Sequence, residues 1–154
     1  MSDQTQETTD HRVRATSRSL PIALLRARET VMAPIRLMLA GAGVTEQQWR
    51  VLRVLAEHGA LDPTEIAQKS CLLMPSLTRI LKVLEAKGFC SRRPHPTDRR
   101  RALIRIAGAG RKLIEDNIPT SNALFADLES QFGKDRIDAL LDLLNELSQA
   151  RIRR

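Results

Sequence analysis

A chain of 154 residues, 42% apolar and 28% charged, has the size and balance of one soluble globular domain or of two small halves sharing a core. No apolar run approaches the roughly 18 residues a membrane span needs, and the polar start MSDQTQETTD has no hydrophobic signal segment. With only Cys71 and Cys90 a disulfide framework is not expected, and the cytosol is the expected compartment. The net charge of +7 is unevenly spread: residues 61–107 hold ten basic and four acidic side chains, and residues 108–154 hold seven and eight. A charge concentrated in this way suits a polyanion partner rather than general solubility.

In chain order, residues 1–18 read as a disordered tail. A first helix is expected from about Leu20-Pro21, with Ser19 as its cap and Pro21 in its first turn. Ile22, Leu25, Met32, Ile35 and Leu39 recur at helical spacing, with Glu29 the polar exception. Pro34 should kink or interrupt the run, and Gly41 and Gly43 should end it. Thr45 and Gln48 form a capping box for a second helix that buries Trp49, Leu52, Val54, Leu55 and Ala56 and stops at His58-Gly59. Asp62, Pro63 and Glu65 start a short helix to about Lys69. A joint over 70–73 leads to a helix from about Pro75 to Lys87, ended by Gly88.

In that helix Leu77, Ile80, Leu81 and Leu84 make a core stripe. The opposite face carries Pro75, Ser76, Arg79, Lys82, Val83 and Ala86, with Thr78 at its edge, and no acid. Residues 89–93 and 101–106 alternate as two short strands, so RRPHPTDRRR (residues 92–101) lies at the tip of a β-hairpin. A helix over about 108–131, with Pro119 a second kink, and a last helix over about 134–150 complete the chain. The last helix carries Ile137, Leu140, Leu141, Leu144 and Leu147 on one side, widened by Leu143 and Ile152. The first and last helices are more apolar than a thin monomeric shell requires, which predicts pairing with a second copy.

The fold class expected is mainly α: a winged helix-turn-helix over 45–107, a dimerisation helix over 19–44 and C-terminal dimerisation helices over 108–154. An α-helix fits the major groove of DNA, where base edges carry a donor and acceptor code. Ser76 and Thr78 can bond phosphates or bases, Arg79 suits a bidentate contact to guanine, and Lys82 suits a phosphate. Arginines on a thin β tip can enter a narrow minor groove. Arg99 and Arg101 are candidates for that groove and its flanking phosphates, Arg100 both for a DNA contact and, with Asp98, for shaping the loop, and Pro75 for the DNA-facing start of the helix. Arg92 and Arg93 alternate faces, so at most one of them, taken as Arg93, should point at DNA.

The array V44-T45-E46-Q47-Q48-W49-R50-V51-L52, T64-E65-I66-A67, P75-S76-L77-T78-R79-I80-L81, L84-E85-A86-K87-G88-F89 and D98-R99-R100 resembles the MarR family of bacterial transcription regulators. Residues 19–32, TEQQWR and C71-L72-L73-M74-P75-S76-L77-T78 resemble its subgroup that regulates homoprotocatechuate (hydroxyphenylacetate) degradation. The resemblance implies a homodimer on a pseudo-palindromic operator in double-stranded DNA, released when a small phenolic, aromatic or carboxylic effector wedges between dimer and reading domains. It implies an effector site in which Ser19, Arg26, Arg28 and Arg36 hold a carboxylate or phenol while Trp49 and Cys71 line an apolar wall. Bland roles compete: solvated or Glu29-paired arginines, a core Trp49, and Cys71 as a small buried hydrophobe. This sequence departs from the family at His95, where an acid usually precedes the wing proline, at Ile106-Ala107, usually Leu-Thr, and at Pro34, which precedes Arg36 rather than following it.

A redox-sensing regulator using Cys71 or Cys90 is the alternative, and a purely structural helical protein a third reading. No nucleophile and base share a motif, so an enzyme is not expected. His11, His58 and His95 lack ligand spacing, and GAGRKL is not a phosphate loop. No metal or other cofactor is expected.

Overall fold

A computed structural model describes residues 15–152. The elements are α1 (Leu20–Ala42), α2 (Glu46–His58), α3 (Pro63–Ser70), α4 (Met74–Ala86), β1 (Cys90–Pro94), β2 (Ala102–Ile106), α5 (Gly108–Phe132) and α6 (Lys134–Ser148). The fold is mainly α with one two-stranded antiparallel sheet, as expected. The chain divides into two compact units between Ala33 and Pro34.

In the first unit, Thr16–Arg18 forms a single 3-10 turn, so the expected tail is structured at its end; residues 1–14 lie outside the described residues. The Ser19 carbonyl accepts from the Ala23 N–H, as the residue before a helix does. Leu20, Leu24 and Leu25 are exposed.

The second unit holds the core. Pro34 does not interrupt α1, which continues to Ala42. Pro34 itself lacks the N–H of one helical bond. Continuity on its far side is favoured by Leu39, buried in the core, and by Ile35 and Met38 packed against it. Gly43, at φ 72, takes the left-handed turn that stops the helix. Pro119 is likewise absorbed within α5. The Thr45–Gln48 capping box opens α2, and Asp62–Glu65 opens α3. Trp49, Leu52, Val54 and Leu55 are buried as the period predicts; Val51 joins them, while Ala56 is only partly covered. The α4 stripe of Leu77, Ile80, Leu81 and Leu84 closes onto them.

The sheet pairs Cys90 with Ile106, Arg92 with Ile104 and Pro94 with Ala102. Leu61 adds a bridge to Ile104, through reciprocal backbone bonds of 3.0 and 2.8 Å. That bridge fastens β2 to the chain just before α3. α5 begins against the foot of the hairpin, where Gly110 is buried: a Cβ there would stand 2.2 Å from the Phe89 carbonyl oxygen. No residue of α6 is buried, and Leu140, Leu141, Leu143, Leu144 and Leu147 all face out.

Candidate nucleic-acid interface

α3, the three-residue joint 71–73 and α4 make a helix-turn-helix. The joint turns on Cys71, which caps α3 in the left-handed conformation at φ 53. Few non-glycine residues adopt that geometry. The Cys71 side chain is exposed, which corrects the expectation of a small buried hydrophobe. Ser70, one residue earlier, is fully buried and donates its hydroxyl to the Ile66 carbonyl.

The outer face of α4 presents Pro75, Thr78, Arg79 and Lys82 exposed, with Ser76 half-covered. Thr78 donates its hydroxyl to the Met74 carbonyl at 3.0 Å, which leaves its oxygen lone pairs as the outward function. The one acid of α4, Glu85, is turned toward the hairpin, where it accepts from Arg92 Nε at 2.9 Å. The face presented outward is therefore purely cationic, hydroxyl and apolar.

In the wing the arginines divide by partner. Arg92 is bound to Glu85 and pins β1 to α4. Arg93, opposite Leu103, lies on the other face of the strand, exposed. Arg101 is revised: its guanidinium binds the Asp62 carboxylate, the N-cap of α3, rather than standing free for a groove. Asp62 also accepts from the Glu65 N–H at 2.9 Å, and this bond, then Arg101, holds its carboxyl below the usual carboxylate range against the opposing effect of burial. The tip is shaped by Asp98, which accepts from the Arg100 N–H at 3.0 Å and has Arg100 Nε at 3.6 Å; its carbonyl accepts from the Arg101 N–H. Arg99 extends from this turn, exposed.

His95 now has a position with chemical content. Its Nδ1 accepts from the Thr97 N–H at 3.2 Å and stands 3.1 Å from the Thr97 hydroxyl, while its own N–H bonds the Arg101 carbonyl. A ring nitrogen thus fills the acceptor role that a short acid side chain fills in an Asx turn. Arg105 was missed. It pairs with Ser91, exposed, on the face shared with Arg93. Strand alternation alone carries the signal that would have found it.

The six effector-site candidates divide between the two units. Ser19, Arg26 and Arg28 belong to the first. In the second, Arg36 lies 3.5 Å from Glu46, and Trp49 is part of the buried core. A cleft of about 420 Å³ lies elsewhere in this unit, lined by Gly41, Ala42, Ala109, Lys112, Leu113, Asp116 and Asn117. Cys90 is buried, and burial, with Glu85 nearby, pushes its thiol up to about 11, so it is not a thiolate at neutral pH. Among the described residues no cluster of His, Cys, Asp or Glu fits a metal ion, and no helix is long and apolar enough to cross a membrane.

A helix-turn-helix with an acid-free outer face, followed by an arginine-tipped wing, defines a winged-helix DNA-binding protein. The MarR family profile matches residues 44–102. Over 131 residues the chain is 38% identical to the HTH-type transcriptional regulator FarR of Neisseria gonorrhoeae, covering 85% of this chain and 90% of that one. It is 36% identical over 128 residues to the homoprotocatechuate degradative operon repressor of Escherichia coli, covering 83% and 86%. Among solved structures it is similar to NadR in complex with 4-hydroxyphenylacetate, with a TM-score of 0.79, 36% identity and 91% and 99% of the two chains covered. It is also similar to the repressor CouR bound to a 23-mer DNA duplex, with a TM-score of 0.75, 30% identity and 86% and 94% covered. The chain belongs to the MarR family of transcriptional regulators.

Proposed function

We propose that this protein is a dimeric repressor of an aromatic-acid catabolic operon, released from a pseudo-palindromic operator by a small phenolic or carboxylic effector. The observation that carries the DNA-binding part is the acid-free face of α4 beside a wing whose Arg93, Arg99 and Arg105 are exposed. In this reading α4 enters the major groove with Ser76, Thr78 and Arg79 at base edges, Lys82 meets a phosphate, and the wing tip reaches the adjacent minor groove. Arg101 acts by holding the wing against α3. Dimerisation through α1 and α6 is supported by the leucines that α6 leaves uncovered.

The effector class rests on the similarity to the homoprotocatechuate repressor and to NadR with its bound 4-hydroxyphenylacetate. Release requires that the effector favour an arrangement in which the two heads are wrongly spaced. Titration of a labelled protein–operator complex with hydroxyphenylacetates, other aromatic acids and their thioesters tests this. Release by at least one is expected, and release by none would make the effector assignment wrong.

A further inference from the structure

The start of α4 breaks two local rules at once. Leu73 occupies its N-cap, where Ser, Thr, Asp or Asn would accept an orphan backbone N–H, and no side chain caps this helix. The neighbouring α2 and α3 both carry complete capping boxes; α5 and α6, like α4, have no side-chain cap, but they start from the small residues Ala107 and Gly133, and only α4 of these three places a large apolar residue at its N-cap. Leu73 is also 79% exposed, and the next residue, Met74, is 42% exposed. Two large apolar side chains thus stand in water at a helix end where a polar residue would be both more soluble and more stabilising. A local rule broken without a structural return marks a functional position.

The same helix end has a defined neighbour in a DNA complex. The N-terminal residues of a recognition helix are those that meet base edges. Leu73 offers no donor or acceptor, and Met74 only a weakly accepting sulfur, so neither is suited to the hydrogen-bonding code of the major groove. The one apolar feature of that groove is the 5-methyl group of thymine. The surrounding charge favours a polyanion such as DNA and disfavours a basic partner surface: Arg79 and Lys82 lie on the exposed side of α4, and its one acid is bound to Arg92.

We propose that Leu73 and Met74 recognise the thymine 5-methyl group at the base pair beneath the N-terminus of α4, fixing an A·T pair in each half-site. The assignment rests on DNA binding by α4, and its test separates the two. A duplex is selected from random-sequence DNA on the full-length protein, then remade with each thymine singly replaced by deoxyuridine, which deletes only the methyl group. By fluorescence anisotropy at fixed salt, one replacement in each half-site is expected to weaken binding about 5-fold or more, as removal of a packed methyl group does. Leu73→Ser, which supplies a capping hydroxyl and so keeps the helix formed, is expected to bind the thymine duplex more weakly and to lose the distinction between thymine and deoxyuridine. Met74→Ala should lose part of it. Indifference of the parent protein to every replacement overturns the proposal, as does undiminished discrimination by Leu73→Ser. Recovery of no duplex at all would instead overturn DNA binding, and this inference with it.

Discussion

Gly110 is the position where a single methyl group should matter most. It lies in the first turn of α5, and a Cβ built there stands 2.2 Å from the Phe89 carbonyl oxygen and 3.0 Å from Ile106 Cγ1. The same carbonyl accepts the Ala107 N–H at 2.9 Å, so it cannot retreat without weakening the bond that closes the foot of the wing. Restoring ordinary contact needs a movement of about 1 Å, and overpacking of this kind costs about 1–3 kcal/mol. Weakening the bond adds up to about 1 kcal/mol, and the better helix propensity of alanine returns up to about 1 kcal/mol. Gly110→Ala should therefore destabilise by about 1–3 kcal/mol, or roughly 2–10 °C in Tm for a chain of this length. Differential scanning fluorimetry at one protein concentration is the assay, since dimerisation couples to the midpoint. Gly108→Ala is the control: nothing lies within 4 Å of its Cβ, so it should melt at or slightly above the parent. A Gly110→Ala protein as stable as the parent would refute the close approach.

The remaining predictions concern the wing and its ties. Asp62→Ala removes the α3 cap and the partner of Arg101 and should cost about 1–2 kcal/mol in a urea titration at pH 7. Because the folded Asp62 pKa is depressed, its stabilisation is present above the ordinary carboxylate value of about 4 and is lost as pH falls below it; the gap between Asp62→Asn and the parent should narrow there. Asp98→Ala and His95→Ala should each weaken operator binding several-fold with little change in melting, while His95→Asp retains affinity because it replaces the acceptor for the Thr97 N–H. Lys82→Ala should make the dependence of log affinity on log salt shallower by about 0.9 for each phosphate that the lysine neutralises. Cys71→Ser should leave any oxidant response unchanged; its loss would favour redox sensing through this exposed thiol.

What the sequence disclosed well was local. Thr45 with Gln48 and Asp62 with Glu65 are reciprocal bonds three residues apart, and the 77–80–81–84 stripe needs only the helical period, so both are readable without a fold. The residues that carry the candidate interface were legible for the same reason: a face without acids and a loop of arginines are visible in one dimension. What stayed hidden depends on distant chain. Arg101 and Asp62 are 39 residues apart, so a basic loop residue read as a DNA contact is bound to a helix cap instead. The bridge from Leu61 to Ile104 is equally non-local, and Leu61 has no strand pattern of its own to announce it. The exposure of Cys71 was not legible either, because it depends on how the left-handed joint between α3 and α4 sits on the core and not on the residue's own hydrophobicity. Pro34 and Pro119 show the reverse case, in which helices too long to be decided by one residue run through a breaker.

The wing's arginines are therefore two populations with one appearance. Arg92 and Arg101 are fixed by single acids on α4 and α3, so each strand of the hairpin is tied to a different helix of the reading head. The Arg101 tie adjoins the tip of the hairpin and the Arg92 tie lies mid-strand, whereas the Ala107 to Phe89 bond and the packing at Gly110 hold the foot. A thin two-stranded ribbon is marginal alone, and ordering it only on DNA would cost affinity. Holding it at both ends against the helices that carry α4 makes the distance between the recognition helix and Arg99 a property of the free protein. Arg93, Arg99 and Arg105, which have no ion pair with a described residue, are then the wing's charges available to a nucleic acid. The acids Asp62 and Glu85 thus make two of the wing's arginines fasteners between the hairpin and the helices.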